Sequence, residues 1–195
     1  HIGSRLMLEM RKNSDAYEKV CFLDIASAQR YPKSSGIYEY VQCDIRSKEI
    51  EKFVSASDVV IHLAALTDAE RSKEFPRETF EINFEGAKRV IDACQKHETR
   101  ILLPSTTSVY GSQESMIDET CAELLPQSPY AESKLAVERY LLSKNDEMRF
   151  MICRFGTIVG PSLGMRFHTA VNKFIWQAIA QEPITVWRTA YNQKR

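Results

Sequence analysis

Ile101-Leu102-Leu103-Pro104-Ser105-Thr106-Thr107-Ser108-Val109-Tyr110-Gly111, followed after a spacer by Ser128-Pro129-Tyr130-Ala131-Glu132-Ser133-Lys134, decides how this 195-residue chain is read. An apolar run that opens into hydroxyl residues predicts a strand ending in a loop. The Ser-Pro pair is a helix start signal, and Ala131, Leu135, Ala136, Tyr140 and Leu141 recur at a helical period, which predicts a helix over 128–143. Residues four apart on a helix are neighbours, so Tyr130 and Lys134 share a face. A nearby ammonium favours phenolate and lowers a phenol pKa that starts near ~10. Tyr130 is thereby a candidate base at neutral pH. The hydroxyl that holds a substrate alcohol against that base would come from the Ser/Thr run at the strand end, with Thr106 the first choice.

On either side of this stretch, strand and helix patterns alternate. Residues 20–24, 38–43, 59–65 and 149–155 read as strands, and 46–54 and 80–97 as helices, the latter with Ile82, Val90, Ile91 and Cys94 facing inward. That alternation predicts an α/β fold built on a mostly parallel sheet covered on both faces. After Phe155 the pattern changes: 156–161 is a turn region, 167–181 an amphipathic helix and 184–187 a short strand. The division expected is therefore 1–155 and 156–195.

Composition excludes several classes. The charges balance, 26 basic against 26 acidic, and no dense basic run suggests a nucleic-acid or anionic-membrane surface. No run reaches the roughly 18 apolar residues of a membrane span. Five cysteines lack any Cys-x-x-Cys spacing and read as buried thiols of a reducing cytosol, and His1, His62, His97 and His168 are scattered, so no metal is expected.

The ordered set of strand, STTSVYG, spacer and SPYAESK resembles the extended short-chain dehydrogenase/reductase family, in particular its NAD-dependent nucleotide-sugar epimerases and dehydratases. The resemblance runs through nearly the whole chain. It implies a Rossmann-like, doubly wound sheet followed by the beginning of a small substrate-binding lobe. In that family a turn Gly-x-x-Gly-x-x-Gly precedes the first helix; Gly3 matches the third glycine and Ile2 the residue before it. The first strand and the first two glycines have no counterpart here. Asp24 closes an apolar run 21 residues after Gly3, where a dinucleotide fold places the carboxylate that bonds the adenosine ribose. It would repel a 2'-phosphate, and Ile25, Ala26 and Ser27 supply no cation, which favours NAD over NADP. By resemblance, Asp44 and Ile45 lie against the adenine, Leu63, Ala64 and Ala65 form the cofactor wall, Asn83 makes a polar contact beneath it, and Phe155 lies beside the nicotinamide. Tyr130 and Lys134 are assigned to cofactor as well as catalysis. Thr106, Thr157 and Arg195 are assigned to substrate, Arg195 through its diphosphate.

Related dehydratases carry Thr-Asp-Glu where this chain has Thr106-Thr107-Ser108. Neither hydroxyl can act as a carboxylic acid, so the resemblance implies epimerisation: oxidation of a nucleotide-diphosphate sugar to a keto sugar, rotation and re-reduction. The alternatives are a dehydratase or another oxidoreductase of the same superfamily, and a non-catalytic dinucleotide-binding protein or inactive fragment. The missing central strand predicts unpaired edges on its two neighbours and weak NAD binding by the 195 residues alone. A cytoplasmic enzyme is expected, forming a homodimer through the helices that contain Asn83 and Tyr130.

Overall fold

Among the described residues, short β-rich runs bounded by turn residues form five strands, paired in parallel. β1 (Val20–Asp24) pairs with β2 (Tyr38–Gln42), and β3 (Val59–Ile61), β4 (Arg100–Thr106) and β5 (Phe150–Phe155) form a second sheet in the order β3-β4-β5. The structure is a computed structural model and describes residues 2–27, 34–113, 116–162, 164–165, 167 and 169–186. Among these, β1 pairs with β2, and β3 with β4. The chain divides into two units, Asp15–Gly156 and His1–Ser14 with Thr157–Arg195.

The larger unit contains helices α2 (Ile50–Ser55), α3 (Ala69–Glu74), α4 (Pro76–Phe80), α5 (Ala87–Lys96) and α6 (Pro129–Leu142); α5 and α6 pack on β4, and α3 and α4 on α6. The core gathers Ile50 and Val54 of α2, Val90, Ile91 and Cys94 of α5, Ile101 and Leu103 of β4, and Val137 and Leu141 of α6. Each such side chain contributes roughly 1.5–3 kcal/mol on burial. α6 starts where Ser128, in extended backbone, accepts the Ala131 N–H at 3.2 Å and Pro129 takes the first helical position, whose N–H has no helical partner in any case.

Several boundaries differ from the sequence expectation. The strand expected over 59–65 stops at Ile61, and Val59 is 48% exposed rather than buried. After the His62 N–H donates to the Leu102 carbonyl, the Leu63 N–H turns back to Ile61, and the chain leaves the ladder. The helix expected over 80–97 begins earlier, at Pro76, and passes through a π-helical turn, Glu81–Gly86, before α5. The helix expected over 46–54 starts only at Ile50, because Asp44 holds the preceding residues in a turn by accepting the Arg46 N–H at 2.8 Å. Of the five cysteines only Cys43 and Cys94 are buried; Cys21, Cys121 and Cys153 are half-buried, and all five are free.

Among the described residues of the smaller unit, α1 (Ile2–Lys12) and α7 (Ala170–Ile179) are the helices. Ile2, Arg5, Leu6 and Glu9 with Ile158, Val159, Gly160 and Pro161 line an open cleft of about 550 Å³. The expected strand over 184–187 does not form among the described residues. Gln177 accepts the Thr185 N–H at 3.2 Å and donates to the Thr185 hydroxyl and the Pro183 carbonyl, so the backbone donor a ladder would need is already used. Ile184 and Val186 stay exposed. Trp187 and the expected diphosphate ligand Arg195 lie outside the described residues.

One turn is fixed by its glycine. A 3-10 turn, Thr107–Tyr110, follows β4 and ends at Gly111 with φ 68° and ψ −149°, a region open essentially to glycine alone. A Cβ there would lie 2.0 Å from the Leu125 carbonyl oxygen. Gly111→Ala should destabilise the protein by at least about 1–3 kcal/mol of backbone strain before the clash is counted. Denaturant unfolding measures this, and an unchanged midpoint would contradict it.

Candidate active site

In a parallel sheet the C-terminal strand ends open into a crevice where ligands bind. Among the sequence candidates, Asp24 ends β1 in one sheet, and Thr106 and Phe155 end β4 and β5 in the other; His62, not one of those candidates, follows β3. Asp24 is exposed, and one carboxylate oxygen accepts the Ala26 N–H at 2.9 Å. Ala64 is exposed and Leu63 and Ala65 half-buried in the loop after β3. A Cβ on Gly156, next to Phe155, would meet no atom within 4 Å. A carboxylate at the end of β1 and small residues after β3 and β5 are groups of a kind that suits an extended dinucleotide.

Other candidates have side chains engaged within the protein. Asn83, 2% exposed, accepts the Leu66 N–H at 2.7 Å and donates both amide hydrogens, to the Leu66 carbonyl and to the Ser133 hydroxyl at 3.0 Å. Ser133 in turn donates to the Tyr130 carbonyl at 2.7 Å. Asn83 therefore braces the wall loop against α6, and both its donors are committed to the protein. Ile45 is also structural: its side chain is in the core, where a Cβ on Gly86 would lie 2.6 Å from its Cδ1. Only its backbone can reach a ligand. Asp44 is gripped by the Arg46 guanidinium and backbone, which hold its carboxyl below the usual range; Arg46 also bonds Glu81 at 2.9 Å.

Helix α6 packs against β4 and the turn that follows it. Tyr130 is half-buried in its first turn, with its backbone N–H donated to the buried Ser72 hydroxyl at 3.2 Å. Lys134 is 6% exposed. Burial pushes its ammonium down to about 8, with Glu138 pulling in the opposite direction, so most of the population remains charged at neutral pH. His62 is buried as well; burial, and then the Lys134 charge, push its imidazole down to about 3, and it stays neutral. Thr106 is 7% exposed at the strand tip. Its hydroxyl accepts the Ser108 N–H and donates to the Ser108 Oγ, each at 3.1 Å; turned from Ser108 Oγ, that proton is the one it could donate to a ligand oxygen. Exposed Ser108 thus joins the candidate hydroxyls.

The sequence reading missed a buried polar network behind this site. Glu138, one turn beyond Lys134, accepts from Ser105 Oγ and from Arg154, whose terminal nitrogen approaches at 2.7 Å; Arg154 also donates to the Tyr110 hydroxyl at 2.9 Å. The i, i+4 spacing of Lys134 and Glu138 was the available signal. Ile2, Gly3 and Thr157 belong to the smaller unit: Ile2 and Gly3 lie in the first turn of α1, and Thr157 is exposed.

A model of the NAD dependent epimerase/dehydratase family matches residues 1–195. Among curated proteins, an uncharacterized UDP-glucose epimerase of Bacillus subtilis (strain 168), YtcB, is 26% identical over 154 residues, 77% of this chain and 48% of that protein. Among solved structures, MoeE5 in complex with UDP-glucuronic acid and NAD is 28% identical, with a TM-score of 0.80, over 95% of this chain and 60% of that one. UDP-glucuronic acid 4-epimerase from Bacillus cereus, in complex with UDP-glucuronic acid and NAD, is 28% identical with a TM-score of 0.79, over 95% of this chain and 62% of its own. The chain spans about half the length of the curated relative and about three fifths of the solved ones. Among the described residues, no helix is long and apolar enough to cross a membrane, and no group of three His, Cys, Asp or Glu could hold a metal ion.

Proposed function

Because the chain belongs to the NAD dependent epimerase/dehydratase family, we propose that the whole protein epimerises a UDP-sugar at C4 through a transient keto sugar, with NAD as its cofactor. The observation that supports this reading most is the packing of α6, with Tyr130 and Lys134, on the strand tip that carries Thr106. Bound NAD would supply the acceptor, and then the donor, of a hydride.

Tyr130 takes the proton of the sugar hydroxyl as phenolate and returns it on re-reduction. The Lys134 ammonium, one turn away, favours the phenolate and reaches the nicotinamide ribose. Thr106 holds the reacting hydroxyl in line, a contribution of orientation rather than charge. Asp24 takes the adenosine ribose, Asp44 and the Ile45 backbone the adenine, Leu63, Ala64 and Ala65 the cofactor wall, with Phe155 beside the nicotinamide. Ile2 and Gly3 take the diphosphate of the cofactor, and Thr157 and Arg195 that of the substrate. The absence of carboxylates at Thr107 and Ser108 disfavours dehydration. The same proposal includes a cytoplasmic location, consistent with five free thiols, and a homodimer through the helices containing Asn83 and Tyr130, where Phe80 and Leu142 are exposed apolar residues.

The whole protein, incubated with NAD and separately with UDP-glucose, UDP-galactose and UDP-glucuronic acid, should yield the C4 epimer of at least one without net NADH. Stoichiometric NADH release would move the assignment to a dehydrogenase of the same superfamily. Absence of both epimer and keto sugar across the set would end the catalytic reading.

A further inference from the structure

Glu138 lies in the middle of a helix with its side chain 1% exposed, a costly place for a carboxylate unless every oxygen is engaged. Here both are. Oε1 accepts the Ser105 hydroxyl and Arg154 Nε at 3.2 Å, and Oε2 accepts Arg154 Nε at 3.1 Å and a terminal nitrogen at 2.7 Å. The other terminal nitrogen bonds the Tyr110 hydroxyl, and the guanidinium carbon lies 4.8 Å from the Tyr110 ring centroid. Ser105 immediately precedes Thr106, and Tyr110 closes the turn that contains Ser108. Arg154 is the register partner of Ser105 on the neighbouring strand, and Phe155 that of Thr106. One ion pair thus joins α6, β4, β5 and the turn on both sides of Thr106.

We propose that the Glu138–Arg154 pair is a positioning device for the reacting groups: it fixes the Thr106 tip against the helix that presents Tyr130 and Lys134, and it sets a counter-charge one turn behind the Lys134 ammonium. What the positioned groups accomplish rests on the epimerase reading above. A purely structural role is the weaker account, because well-packed apolar residues often replace a buried ion pair without loss of stability. Apolar residues cannot supply the charge. Glu138 on its own helix acts on Lys134, Lys134 acts on neutral His62 after β3, Tyr130 precedes Lys134 by four residues on the helix, and beyond Glu138 lie Arg154 on β5 and Tyr110 on the turn. Glu138 is the anion that opposes the effect of burial on Lys134.

The test compares Glu138→Gln with the double variant Glu138→Gln/Arg154→Met in the whole protein, following the Lys134 titration by NMR of 13C-labelled lysine together with kcat, KM and thermal unfolding. The amide oxygen introduced by Glu138→Gln can still accept from Ser105. The single variant strands the Arg154 charge and should lose stability; the double removes both charges and should recover it. The Lys134 midpoint should fall by about one pH unit in the single variant and stay below wild type in the double. In both, kcat at neutral pH should fall about tenfold with KM little changed, and the alkaline limb of the kcat profile should move to lower pH. A double variant that regains stability together with wild-type kcat and a wild-type Lys134 midpoint would overturn the proposal. If the wild-type protein epimerises nothing, the functional reading fails, and the Lys134 midpoint still decides this one.

Discussion

Replacing Tyr130 by Phe should lower kcat about 10²–10⁴-fold, the usual contribution of a positioned acid–base group. The ring is retained, and the backbone anchors of the residue, its N–H on Ser72 and its carbonyl under Ser133, do not involve the phenol. The melting temperature and NAD affinity should therefore stay close to wild type while turnover collapses. KM for the sugar should change little, because the lost interaction matures only as the proton moves. Steady-state epimerase assays alongside unfolding and NAD titration make the comparison. A variant whose kcat stays within about threefold of wild type would remove Tyr130 from the mechanism and leave Lys134 without a phenolate to stabilise.

How far the sequence can be read depends on the range of the interactions. β1, β2 and β5 follow from local apolar runs and their turn residues and match the structure to within a residue, whereas β4, expected from the apolar run 101–103, continues through Pro104 and Ser105 to Thr106. α6 is visible from its Ser-Pro start and its period. Its buried faces are not: besides Ala131, Leu135 and Leu141 they include Ser133, Lys134, Val137 and Glu138. A Lys and a Glu four apart on a helix normally form a solvated pair. Here Arg154, arriving from β5 sixteen residues later, and Ser105 from β4 make burial of Glu138 tolerable, and no periodicity in α6 encodes either partner. The same reason explains residues 184–186, where β-branched residues suggest a strand but Gln177 of α7 takes up the Thr185 backbone. It explains Asn83 as well, which family resemblance places beneath a cofactor and whose amide spans Leu66 and Ser133, 17 and 50 residues away.

The stripe of Tyr130, Lys134 and Glu138 on α6 follows a gradient of burial. Tyr130 is half-buried at the crevice, Lys134 is 6% exposed one turn deeper, and Glu138 is 1% exposed a turn beyond that. Depth accounts for the distribution of charge. The ammonium is desolvated enough to act strongly on a neighbour, since Coulombic effects grow as water is excluded, and it keeps its proton because a paired carboxylate lies behind it. A cation so placed requires its other neighbours to be neutral, which brings His62 into the argument.

His62 should make the protein acid-sensitive in a way that one substitution removes. Its imidazole titrates near its ordinary value of 6.5 when unfolded and near 3 when folded, pushed down first by burial and then by Lys134. Between those values the unfolded chain binds a proton that the native state refuses. Stability therefore rises with pH across this window and is lost as pH falls from about 6.5 toward 3. At 1.36 kcal/mol per unit, the full window is worth up to about 5 kcal/mol. Carboxylates with lowered pKa, such as Asp44 and Glu51, also lose stabilising interactions on acidification, but they do so equally in a variant that lacks only the imidazole. Denaturant unfolding of wild type and His62→Gln at about pH 7, 6, 5 and 4.5 isolates the difference. The wild-type advantage should shrink by about 1.4 kcal/mol per unit once pH is well below 6.5, and the sign of ΔΔG should reverse if the introduced amide packs with modest loss. Parallel stability curves would mean that the native state protonates the imidazole as readily as the unfolded chain does, and a second cation beside Lys134 would then disfavour its charged form.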